Sequence, residues 1–164
     1  MENLPKGSKL RQFVAMLKVG YTELQYWFIG MTPEGYHFKQ ARNYDELGAT
    51  RRSAHHSHEV LKYAEYSEPR ARLGYYYVTL GNHADAVEHY RKAVQTWPHP
   101  SIMLALAQAE LRLGNIDAAV TWLERAENSE MKAQLQDAIA EVRSELAIAN
   151  SALQATCETH APER

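Results

Sequence analysis

His55, His56 and His58 stand in one short run with Glu59 beside them. Imidazole and carboxylate are ligand types for zinc and other transition metals, and imidazole is also a general base near neutral pH. On a helix His55 lies one turn from both His58 and Glu59, so a pair could grip an ion if a third ligand came from elsewhere. No cysteine or HExxH pattern accompanies the run, and His55 and His56 project about 100° apart on a helix. A solvated polar helix face accounts for these residues without chemistry. Arg51 and Arg52 could touch phosphate, but two arginines in a chain of net charge −2 fall short of a nucleic-acid footprint. There is no phosphate-binding glycine loop and no nucleophile elbow. The reading is therefore of no catalytic residue, no metal and no cofactor, with a metal-dependent enzyme on His55 and His58 kept as an alternative.

The elements that must position any site announce themselves by repetition. Leu80-Gly81-Asn82 followed by Ala86-Val87 returns 33 residues later as Leu113-Gly114-Asn115 followed by Ala119-Val120. The same shift matches Leu73 with Leu106, Gly74 with Ala107, Lys92 with Arg125 and Ala93 with Ala126. A self-match at this period marks a stack of supersecondary units, and such stacks present surfaces more often than they house reactions. Each copy reads as two helices. Ser67 and Pro69 suit a helix start, and Gly81 suits a left-handed stop. Asn82 suits the next cap, and Pro98 and Pro100 suit the passage to a third helix. Small residues at Gly74, Ala86, Ala93, Ala107, Ala119 and Ala126 let helices approach closely. Helices are expected over Ile102–Leu113 and Ile116–Ala126, with Trp97 buried against the helix that follows it.

Arg70-x2-Leu73-Gly74-x2-Tyr77, then Ala86-x3-Tyr90-x2-Ala93, then Pro98, resembles the tetratricopeptide repeat. Arg70 stands where that family has its first aromatic. The second copy, Met103-x2-Leu106-Ala107-x2-Glu110 and Ala119-x3-Leu123-x2-Ala126, lacks the closing proline and has Glu110 for Tyr77. The resemblance covers residues 67–130, as repeats at 67–99 and 100–130, and implies an all-α, right-handed helical array. It also implies a concave face lined by the first helix of each repeat. On that face would stand Glu68, Ala71, Tyr75, Val78 and Thr79, then Ser101, Leu104, Gln108, Leu111 and Arg112. Ligands of such faces are extended peptides or helices. The alternative is that flanking helices fill this groove. Repeat domains that grip chaperone tails carry a clamp of lysines and asparagines, where this chain has Ala71, Tyr75, Leu104 and Gln108.

Residues 1–66 read as a helical segment without the repeat, and 131–155 as a long closing helix before a loose tail at 156–164. From about Ser8 to Gly30, Leu10, Val14, Leu17, Tyr21, Leu24, Phe28 and Met31 step by four and three. This stripe either packs inward on the following helices or faces a partner or a second copy, through Tyr21, Leu24, Trp27 and Phe28. Thr32-Pro33 reads as a helix start, Gly48 as a stop, and Thr50 as the cap of a helix reaching Tyr66. Hydrophobic content of 45% suffices for a core, and the lone Cys157 suits a reducing compartment. Residues 1–72 hold 11 Lys/Arg against 8 Asp/Glu, and the remainder 7 against 12, an ordinary mixed surface. Lys18, Glu23 and Gln25 break the most apolar early stretch, so no membrane insertion is expected and a cytoplasmic location is. The expected function is a non-catalytic protein-interaction module or adaptor. A small chaperone for a secreted or assembled protein is its alternative.

Overall fold

Three glycines set the corners of this fold. Gly48, Gly81 and Gly114 have φ of +71°, +74° and +79°, the left-handed region that glycine enters without a Cβ penalty. Each closes a helix with the same pair of backbone bonds. Gly48 N–H donates to Asp45 and Ala49 N–H to Tyr44; Gly81 donates to Val78 and Asn82 to Tyr77; Gly114 donates to Leu111 and Asn115 to Glu110. The three glycines stand 33 residues apart, so the repeat spacing reaches one unit further forward than the sequence match.

The computed structural model describes residues 9–159. Among them are eight α-helices: α1 Lys9–Ile29, α2 Pro33–Glu46, α3 Thr50–Val60, α4 Ser67–Thr79, α5 His83–Thr96, α6 Pro100–Arg112, α7 Ile116–Glu127 and α8 Gln136–Thr159. A 3₁₀ turn, Lys132–Leu135, precedes α8. The chain divides after Tyr76 into two compact units. The expected start of α1 at Ser8 lies outside the described residues. Gly30, with φ +72°, ends it as read.

In the first unit α1 packs on α2 and α2 on α3. Thr32 caps α2, its hydroxyl accepting the Gly35 N–H at 3.2 Å, with Pro33 in the first turn. Thr50 does not cap α3. It is the first helical residue, Ala49 holds the cap position without a side-chain bond, and the helix ends at Val60 rather than Tyr66. Positions that hold Leu73 and Gly74 one repeat later are filled here by buried Gln40 and Ala41. Positions of Ala86, Tyr90 and Ala93 are filled by buried Ser53, Ser57 and Val60. Polar residues at core positions hid this helix pair from the apolar pattern.

In the second unit α5, α6, α7 and α8 pack in order, and α6 also meets α8. Its core gathers Leu104 and Ala107 of α6, Ala119, Leu123 and Ala126 of α7, and Ile139, Val142 and Leu146 of α8. The alanines are fully buried, as close helix approach requires. Asn82 caps α5, accepting the Asp85 N–H at 3.3 Å. Its counterpart Asn115 holds the cap position of α7 without a side-chain cap bond, its amide donating instead to the Glu110 carboxylate at 2.9 Å. Glu110 is fully buried and is also bound by Arg91 of α5. That pairing is what lets a carboxylate occupy the place of Tyr77. Trp97 departs from expectation. It is 58% exposed and lies tilted against His99, with ring centroids 4.8 Å apart, because α5 ends at Thr96 and Trp97 takes an extended conformation. The closing helix runs through Thr159, past the expected start of a tail; residues 160–164 lie outside the described part.

A β-carbon at Gly48 or Gly114 would meet nothing within 4 Å, so the cost of Gly→Ala there is conformational alone. Gly48→Ala and Gly114→Ala should each destabilise by about 1 kcal/mol in urea melts. Ala119→Leu, at a fully buried contact, should cost about 1–3 kcal/mol by overpacking.

Candidate functional site

The first three residues of the expected concave face lie together on α4 in the first unit. Glu68, Ala71 and Tyr75 line a recess of about 390 Å³ with Asp45, Gly48, Thr50 and Arg72. The recess exists because the start of α4 is tethered to α2. Tyr66 donates to the Glu34 carboxylate, and its ring meets Phe38 edge-on at 5.8 Å. Arg72 then reaches both Asp45 of α2 and Glu68 one turn earlier on α4. Glu68 also lies 4.0 Å from Arg42. These ion pairs fix the walls. Tyr75 remains 55% exposed at the edge, a broad ring with a polar tip.

The other expected lining residues belong to the second unit. Val78 is half-buried and Thr79 exposed at the end of α4. On α6, Ser101 is exposed and hydrogen-bonded to His99 at 2.7 Å. Leu104 is buried among α7 and α8 side chains, and Leu111 packs against the same core. Gln108 is half-buried. Arg112 is exposed and donates to Glu145 of α8 at 3.0 Å. So α8 lies against the α6 face, and of its residues Ser101 and Arg112 are the exposed ones.

The histidine run has a partner that its own spacing could not disclose. His56 faces His37 of α2, the two Nδ1 atoms 2.8 Å apart, and its ring stacks on Tyr44. One imidazole must donate and the other accept, so both rings cannot be protonated in this arrangement. Burial, then the neighbouring His37 and His55, push His56 down to about 4. Burial likewise lowers His37 and His58. The groups facing the pair are Glu23 of α1, Tyr36 and Tyr44 of α2, and His55, Glu59 and Lys62 around α3. His55 and His58 are exposed. No three His, Cys, Asp or Glu side chains among the described residues are placed to hold a metal ion. Arg52 lies over the Tyr44 ring at 5.5 Å.

The front helix turns its expected stripe outward. Leu10, Leu17, Tyr21 and Leu24 are exposed, Trp27 and Phe28 are 75% and 82% exposed, and Val14 and Met31 are half-buried. The face toward α2 is held by polar bonds instead. Asn43 donates to Thr22 at 3.0 Å, Gln40 to Glu23 at 3.0 Å and to the Val19 carbonyl at 3.3 Å, and Tyr36 to Glu23 at 2.7 Å. Lys18 pairs with Glu46 at 2.6 Å. Burial and the Glu23 hydrogen bond raise Tyr36 to about 12.

Residues 71–138 match the tetratricopeptide-repeat family model. That segment is similar to tetratricopeptide repeats. The TPR2B domain of yeast Sti1, solved as a pHsp70 complex, superposes with a TM-score of 0.61 at 14% identity, covering 73% of this chain and 97% of that one. A thermophilic tetratricopeptide-repeat protein of Thermus thermophilus superposes at 0.64 and 18% identity, covering 85% of this chain and 76% of that one. No curated protein matches significantly in sequence. The all-α, tetratricopeptide-like array is thus the fold, and a protein-interaction module is the general class of function it serves.

The lowered histidines give a pH dependence whose sign is fixed. The unfolded chain binds protons near pH 6.5 that folded His56 takes up only near 4. Stability is therefore full above pH 6.5 and is lost as pH falls through that window. Urea midpoints at pH 7.5 and 5 should differ in the wild type and differ less in His56→Asn.

Proposed function

We propose that this chain is a non-catalytic interaction module that holds a peptide or helix of another protein in the α4 recess. The outer face of α1 provides a second protein contact. The observation that carries the reading is the placement of Tyr75. It stands exposed at the lip of a preformed recess, on the helix side that lines the ligand face in the repeat family. Tyrosine gives large contact area at small entropic cost, and Ala71 beside it leaves room for a partner side chain.

Charge narrows the ligand. The Sti1 domain was solved with pHsp70. This chain, however, has Ala71, Tyr75, Leu104 and Gln108 where repeat domains that grip chaperone tails carry lysines and asparagines. Arg72 in the recess is already committed to Asp45 and Glu68, and Arg112 on α6 to Glu145. An acidic tail would meet no uncommitted cation among the described residues that line the recess, so the favoured ligand is an apolar or weakly basic segment. No helix among the described residues is long and apolar enough to cross a membrane.

Affinity capture from the native cell with wild type, Tyr75→Ala and Trp27→Ala tests this. Tyr75→Ala should reduce recovery of the partner about tenfold, the effect of losing one hot-spot side chain, with an unchanged thermal melt. Unchanged recovery, with loss only in Trp27→Ala, would move the contact to α1.

A further inference from the structure

The outer face of α1 is larger than a free surface should be. Leu10, Phe13, Leu17, Tyr21, Leu24 and Phe28 are each more than half exposed, with Trp27 at their edge. Large side chains of this kind span roughly 150–250 Å² each, so the face uncovers on the order of 1,000 Å² of apolar surface. The largest apolar patch on an ordinary monomer is about 300–600 Å². A stable interface takes about 800 Å² from each partner.

The spacing specifies what fits. Leu10, Leu17 and Leu24 repeat at one seam position of a heptad, and Val14, Tyr21 and Phe28 at the other. Laid antiparallel on a second copy and centred at Val19, this seam complements itself. Leu10 meets Phe28 of the second copy, Val14 meets Leu24, and Leu17 meets Tyr21, each contact occurring twice. On one flank Phe13 meets Trp27, and Gly20 meets Gly20.

Gly20 is an independent observation. It sits inside a helix, where glycine costs about 1 kcal/mol relative to alanine. A β-carbon there would meet nothing within 4 Å of its own chain. Packing within the chain gives no reason for the glycine; a second helix crossing close at this point does. On the other flank Lys18 would face Lys18, and each is already neutralised by Glu46 at 2.6 Å. A parallel pairing would set Lys18 against Phe13 and give Gly20 no symmetric crossing.

We propose that the protein self-associates, two copies pairing antiparallel through the outer faces of their α1 helices. This rests on the reading of that face as a protein contact and names its occupant. A dimer carries two α4 recesses, so a partner with two binding segments gains avidity without any new contact.

Light scattering on the full chain at micromolar concentration should give twice the chain mass of 18.7 kDa. The double variant Leu17→Glu, Leu24→Glu replaces exposed residues only, and should give the monomer mass with unchanged helical circular dichroism. Register is read by cross-linking in a Cys157→Ser background. Phe13→Cys mixed with Trp27→Cys should form the mixed disulfide, whereas Phe13→Cys alone should not, its two copies lying roughly 20 Å apart along the antiparallel pair. A monomeric wild type, a dimer that survives both glutamates, or a Phe13→Cys self-cross-link overturns the proposal. So does a monomer that floats with anionic vesicles, which would assign the face to lipid. A wild type that is monomeric yet still captures its partner sinks this inference and leaves the recess standing; loss of capture in Tyr75→Ala with the dimer intact concerns the recess alone.

Discussion

Three corners of this fold, α2 to α3, α4 to α5 and α6 to α7, each turn on one residue with positive φ. Gly48, Gly81 and Gly114 each let the chain leave a helix while the glycine N–H and the one after it bond back to its last turns. That geometry satisfies carbonyls that would otherwise be orphaned, and after Gly48 and Gly114 the next helix packs back on the last. Because the corner is the same each time, the side chains at a fixed offset from it meet the same neighbours. Ala86, Ala93, Ala119 and Ala126 are buried for that reason, and so are Ser53 and Val60 in the forward unit. The period is therefore a consequence of corner geometry, with the apolar pattern following from it.

Repetition of the corner also explains how the core tolerates chemistry it should reject. Glu110 and Gln40 are fully buried polar residues at positions where a neighbouring repeat places Tyr77 or Leu73. Each is held by partners that its own unit supplies. Arg91 and Asn115 bind Glu110, while Glu23 and the Val19 carbonyl receive the Gln40 amide. Buried polar groups with partners cost little and fix register, so these sites specify which helix sits where. At α1 this logic is carried to an extreme. Its inward side is Thr22, Glu23 and Ala15, and hydrogen bonds rather than apolar burial hold it to α2.

What was legible in the sequence follows from this division. The units from Ser67 onward could be read because their alanines, leucines and glycines recur at one spacing. The unit of α2 and α3 could not, since Gln40, Ser53 and Ser57 break the apolar pattern while keeping the geometry. Its surviving signals were Leu47-Gly48 and Tyr44, each 33 residues ahead of Leu80-Gly81 and Tyr77. The stripe of α1 was visible, but a step of four and three is shared by core seams and open ones, so its direction was not. His37 was invisible as a partner of His56 because contacts across helices leave no mark in spacing. Trp97 misled because its bulk suggests burial, whereas an extended residue after a helix end points where the turn points it.

The first unit shows how such a fold sorts its polar and apolar side chains. In α4 the wall-forming Arg72 is spent on Asp45 and Glu68, which leaves Tyr75 unencumbered. In α1 the polar side chains are spent inward, which leaves the apolar ones unencumbered. Both outcomes come from satisfying polar groups within the unit first, since an unpaired buried charge or amide costs more than an exposed ring. What remains exposed is then mostly apolar area with a few polar edges. A reaction centre would need the reverse, with polar groups held in reserve and aimed at a substrate. At the α1 seam the Thr22, Glu23 and Asn43 side chains and the Gln40 amide nitrogen are bonded to the chain itself, so they hold the helices in register.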